Sequence, residues 1–79
     1  MSLNIKISSG KGKVQNLKVK NTDKISDAKN ASGYTPVSSW KWKSDGLVLK
    51  DENTFESYGI EEDDLIIATK NQLGGEKYK

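Results

Sequence analysis

The 79-residue chain has no cysteine, no histidine and no arginine, and only one proline. Each absence removes a class of chemistry. Without cysteine there are no disulfides and no thiol nucleophile. Losing histidine as well takes away the usual zinc sites and the commonest general base. Arginine supplies most bidentate contacts to bases and phosphates, so a chain whose cations are all lysine is ill suited to reading nucleic-acid sequence. No apolar run approaches the roughly 18–20 residues of a membrane span, and Met1-Ser2-Leu3 does not open a signal peptide. A chain of this length buries a modest core and has no room beside it for a deep catalytic cleft. The expectation is a small monomeric domain in the cytoplasm or nucleus. It is expected to be off the membrane, without metal or cofactor, and not an enzyme.

What is present is charge, alternation and turns. Thirteen lysines face eleven acids, for a net charge of +2. Leu3, Ile5 and Ile7 alternate with polar residues, which is the period of a half-buried strand. Ser9-Gly10-Lys11-Gly12 predicts a turn, and Leu17 and Val19 a second strand. Val14 and Leu17 are three apart, so a bulge between them would bring both to the core face. Thr22-Asp23 predicts a helix cap, with Ile25, Ala28 and Ala31 on one face and Gly33 at the end. Trp40 to Lys43 alternate as a third strand. Ser44-Asp45-Gly46 is a tight turn, and Leu47 to Leu49 a short partner strand. Thr54 to Ile60 forms a compact turn anchored by Phe55, Tyr58 and Ile60. Leu65 to Thr69 is the last strand, giving the order β-β-α-β-β-turn-β.

Two short motifs imitate functional loops. Glu61-Glu62-Asp63-Asp64 lacks the spaced ligands and glycine of a calcium loop and reads as a solvated turn. Ser9-Gly10-Lys11-Gly12-Lys13 lacks the spacer and the Gly-Lys-Ser/Thr ending of a phosphate loop, and reads as a hairpin turn.

Several stretches resemble ubiquitin. Leu49-Lys50-Asp51-Glu52-Asn53-Thr54-Phe55-Glu56-Ser57-Tyr58-Gly59-Ile60 is similar to its Leu-Glu-Asp-Gly-Arg-Thr-Leu-Ser-Asp-Tyr-Asn-Ile. Thr22-Asp23-Lys24-Ile25 matches its Ser-Asp-Thr-Ile, and Gly33-Tyr34-Thr35-Pro36 its Gly-Ile-Pro-Pro. The resemblance runs from residue 3 to residue 75. It implies an α+β, ubiquitin-like β-grasp: a mixed sheet of four to five strands packed on one short helix. That domain would occupy residues 1–70, with 71–79 a flexible tail containing Gly74-Gly75. It also implies that Tyr58 holds a loop through its hydroxyl.

The family resemblance implies two functions. One is a protein modifier precursor, cut after Gly75 by a protease. Activating and conjugating enzymes would then join Gly75 to target lysines, with Leu73 and Gly74 in the enzyme groove. Glycine suits that role because a tail without Cβ atoms lies extended in a narrow cleft. Asn71-Gln72-Leu73 stands where ubiquitin has Arg-Leu-Arg, so a dedicated activating enzyme is expected. The other is a non-catalytic protein-interaction module. A weaker similarity, through Lys50-Asp51-Glu52-Asn53 and the Gly-Gly near the end, is to the C-terminal ubiquitin-like domain of the large subunit of splicing factor 3a. It implies protein or RNA binding through Lys41, Lys43, Lys70, Lys77 and Lys79.

The chain departs from the family where ubiquitin carries its binding surface. Two alignments place either Trp42 or Lys41 at the central isoleucine. Adjacent strand residues point to opposite faces. Exposing both tryptophans would drive Lys41 and Lys43 into the core, where an unpaired lysine costs several kcal/mol. The expectation is therefore buried tryptophans and outward lysines. On the last strand, Ile66 and Ala68 are expected outward and Leu65 and Ile67 inward. The expected protein-binding face is Lys41, Lys43, Ile66, Ala68, Lys70 and Leu73. General ubiquitin-binding domains, which rely on an apolar patch, are expected to bind it poorly.

Overall fold

A computed structural model describes residues 2–10 and 12–70 of the chain. Leu73, Gly74 and Gly75, with Lys77 and Lys79, lie outside the described residues. Five strands form one sheet: β1 (Ser2–Ser8), β2 (Val14–Lys20), β3 (Trp40–Ser44), β4 (Leu47–Leu49) and β5 (Leu65–Lys70). Their spatial order is β2-β1-β5-β3-β4. β1 and β5 run parallel at the centre, and the other pairs are antiparallel. One helix, α1 (Ile25–Ser32), lies on the inner face, and single helical turns follow at Val37–Ser39 and Glu56–Tyr58. This is the expected α+β architecture, with all five strands in the mixed sheet.

Alternation places one apolar set inward on each strand. Ile5, Ile7, Val19, Trp42, Leu49, Ile66 and Ala68 meet Ile25, Ala28, Phe55 and Ile60 in one buried cluster. Trp42 is fully buried and lies opposite Ala68 on β5 and Leu49 on β4. The small alanine leaves room for the indole. Tyr34 sets its ring edge against both tryptophans, with centroids 4.7 Å from Trp40 and 5.5 Å from Trp42. Edge-to-face packing suits the opposite charges of ring edge and ring face. The tryptophan expectation holds in full for Trp42 and in part for Trp40, which is half-buried at the margin of the cluster.

The helix differs from its sequence reading. It begins at Ile25, with Lys24 as the flanking residue. Asp23 instead closes the turn before it, its carboxylate accepting the Lys20 N–H at 3.0 Å. Ala31 is exposed, and Lys29 takes the inward position beside Ile25 and Ala28. The spacing explains this: Lys29 is four residues after Ile25 and stands one turn above it on the same face. Gly33 ends the helix at φ 88°, a left-handed conformation that favours glycine.

The expected bulge in β2 is absent. β1 and β2 pair without interruption from Ser2–Lys20 to Ser8–Val14. Val14 therefore lies opposite Ser8 on the outer face and is exposed. Between β3 and β4, Asp45 and Gly46 both take positive φ, 55° and 84°. That is the two-residue turn whose twist matches a hairpin.

Candidate functional site

The segment with the strongest sequence resemblance folds around Tyr58. The phenol oxygen accepts the Lys50 N–H at 2.8 Å and the Asn53 side-chain amide at 3.0 Å. The Ile25 and Ser26 N–H groups at the start of α1 donate to the Asn53 and Asp51 carbonyls. This loop thus anchors the helix to the sheet.

Lys29 completes the anchor. Its side chain is 2% exposed, yet its ammonium is well supplied with acceptors. It pairs with Asp51 at 2.6 Å and donates to the carbonyls of Trp40 at 2.6 Å and Val37 at 3.4 Å. A buried ammonium is tolerable only when acceptors replace its water. These contacts fix the start of β3 against α1, and so set which side of β3 faces outward. The sequence reading missed Lys29. Its signal was the position four residues after Ile25.

The outer face of the sheet follows from the register. Lys43 on β3 lies opposite Ile67 on β5 and Val48 on β4. Lys41 lies opposite Thr69, and Lys6 on β1 opposite Leu65. On this face Lys41, Val48, Leu65 and Ile67 are exposed, and Lys43 is half-buried between its apolar neighbours. Among the described residues no strand carries an aspartate or glutamate. The charged residues of the strands are Lys6, Lys18, Lys20, Lys41, Lys43 and Lys70. The carboxylates of the described residues lie in the helices and loops. A groove of about 470 Å³ runs beside Leu65 and Ile67 and is bounded by Ser44, Asp45, Gly46 and Asp64.

The expected face is thus corrected on β5. Ile66 is fully buried and Ala68 is 1% exposed, whereas Leu65 is 48% and Ile67 38% exposed. The partners decide the direction. Ile66 lies opposite the buried Ile7 and Ala68 opposite the buried Trp42, so both must share the inner face. Lys70 also leaves the expected rim. It lies opposite Trp40, and its ammonium sits 5.7 Å from the Trp40 ring centroid, within cation–π reach. Lys41 and Lys43 are outward as expected.

The acidic loop is a turn, as expected. The Asp64 carboxylate accepts the Glu61 N–H at 2.8 Å. Glu62 accepts both the backbone and side-chain N–H groups of Asn4, at 2.9 and 2.8 Å. Those bonds, the backbone one first, hold the Glu62 carboxyl below its ordinary value of 4.5.

The fold matches the ubiquitin-like (UBL) domain of Plasmodium falciparum Dsk2 with a TM-score of 0.81 at 19% identity, over 90% of this chain and 100% of that one. It matches the ubiquitin-like domain of an Arabidopsis thaliana protein with a TM-score of 0.81 at 20% identity, over 91% and 80% of the two chains. No curated protein sequence matches the chain. The sequence model of the ubiquitin family matches residues 3–73, and on that span the chain belongs to the ubiquitin family.

Proposed function

We propose that this chain is a non-catalytic ubiquitin-like module that docks other proteins on the outer face of its sheet. The observation that carries this reading is the pairing of exposed Leu65, Ile67 and Val48 with outward lysines on strands that hold no acid. Apolar residues held on a rigid sheet give contact area at little entropic cost, and a one-sign field guides a complementary partner to them. Lys43 interrupts the apolar residues, so domains that require an unbroken apolar patch bind this face weakly. Pull-down of partners from source-cell lysate tests the reading, with Ile67→Asp set against an equally exposed substitution on the helix, Asn30→Asp. Partners lost only with Ile67→Asp support it; partners retained by Ile67→Asp contradict it.

A second use of the same module is as a modifier precursor, with cleavage after Gly75 and conjugation through that residue. It is favoured by the place of Leu73-Gly74-Gly75 shortly after the end of β5 at Lys70. Intact-mass measurement of tagged protein in source-cell lysate tests it. Loss of the four residues 76–79, then higher-mass adducts that vanish with Gly75→Ala, is the expected result. The RNA-binding alternative would draw on Lys41 and Lys43 and lose affinity steeply with salt.

A further inference from the structure

We infer that the pocket between β4 and the Glu56–Tyr58 turn binds an arginine side chain of a partner protein. This site goes beyond the docking reading above and does not depend on it. The pocket holds about 260 Å³. Leu47, Leu49, Tyr58 and Ile60 supply its apolar lining, and Asp45 and Asp64 its carboxylates. Leu49 is buried in the core, and Leu47, two residues earlier on the same strand, shares its side of the sheet. The core stops short of Leu47, which stays 54% exposed. A lone exposed leucine is ordinary; this one walls a concavity. The ring beside it is held in place, because the Tyr58 hydroxyl accepts the Lys50 N–H and the Asn53 side-chain amide.

Charge selects the occupant. Seven of the eleven acids lie between Asp51 and Asp64, and no lysine lies between Lys50 and Lys70. Among the described residues neither Asp45 nor Asp64 forms an ion pair. This end of the molecule therefore attracts a cation, whereas the lysines of the strands repel one. Among the described residues no three ligating side chains converge, so a metal ion lacks its ligand set. An organic cation on an apolar stem fits the lining. Arginine fits better than lysine, because its planar guanidinium can bridge carboxylates from two loops and stack on an aromatic ring, whereas an ammonium is a compact, strongly hydrated point charge. Its stem would lie along Leu47. The chain has no arginine of its own, so the arginine comes from a partner. Strand addition has little to pair with here. β4 is only three residues long, and the next N–H, that of Lys50, is already bound by Tyr58.

The test uses the full chain, labelled for amide NMR, and two capped peptides. One carries arginine between two leucines; the other carries citrulline, the neutral isostere, in its place. The arginine peptide is expected to shift the amides of Asp45, Leu47, Gly59 and Asp64. It is expected to bind roughly fivefold tighter than the citrulline peptide, the scale of one surface charge pair. Asp45→Asn, which keeps a residue tolerant of the turn's positive φ, is expected to shrink that preference. Leu47→Ser is expected to weaken both peptides alike. Equal affinity for the two peptides, or no saturable shift, overturns the inference. Shifts confined to Lys43, Val48 and Ile67 also overturn it, and leave the outer-face reading standing. Shifts of the pocket amides that grow with protein concentration alone, and are lost in Asp45→Asn, overturn it in favour of a second copy's lysine.

Discussion

On the inner face of the sheet, Trp42 lies opposite Ala68 and Ile7 opposite Ile66, and all four are shut from water. One residue along each strand, Lys43 lies opposite Ile67 and Ser8 opposite Ile67 from the other side, and the face is open. The two faces come from the same strands, read at odd and even positions. The inner face is held by volume: a large indole fits because its neighbour is an alanine. The outer face has no such constraint, and there apolar contact residues stand among lysines. Lysine itself shows the contrast. Lys29 is buried because acceptors replace its hydration, whereas Lys41 stays in water and leaves its charge available to a partner.

The contrast can be broken from the inside first. Lys29→Ala strands Asp51 and two carbonyls and opens a cavity, and should cost about 3–5 kcal/mol in urea unfolding. Lys29→Met keeps much of the packing and should cost less. Equal losses for both would mean that the ammonium, not the volume, carries the whole effect. Tyr58→Phe leaves the Lys50 N–H without its acceptor and should cost about 1–2 kcal/mol while leaving the outer face unchanged in amide NMR.

The smallest effect belongs to Glu62, whose carboxyl is held low by its bonds to Asn4. Because the folded value lies below the unfolded one, this group stabilises the fold above its ordinary value. That contribution is lost as pH falls through the lowered value. Asn4→Ala removes the side-chain bond and keeps the backbone one, so carboxyl NMR titration should show the Glu62 midpoint rising only part of the way toward 4.5. An unmoved midpoint would show that the Asn4 side chain does not contribute.

Most of the framework was legible because it rests on local signals. Period-two runs marked β1, the Trp40–Lys43 strand and its partner, and the Asp45-Gly46 turn marked their hairpin. The burial of Trp42 followed from weighing an indole against two lysines. Leu65-Ile66-Ile67-Ala68 was different, because four apolar residues in a row satisfy either direction. What settled it lies far along the chain, in Ile7 and Trp42. The informative residue was Ala68, the small side chain that a neighbouring buried indole requires. Lys29 was missed for a related reason: its helical position pointed inward, but its partner Asp51 is 22 residues away. Val14 was assigned to the core because it is apolar, yet uninterrupted pairing with Ser8 puts it outside.

The direction of β5 decides which residues any partner can touch. Comparing Ile66→Asp with Ile67→Asp by urea unfolding tests it most directly. Ile67→Asp should remain folded, with stability within about 0.5 kcal/mol of the parent as for an ordinary surface change. Ile66→Asp buries an unpaired carboxylate and should lose more than about 4 kcal/mol, enough to unfold a domain of this size. A stable Ile66→Asp beside an unfolded Ile67→Asp would reverse the strand and remove Ile67 from the docking face.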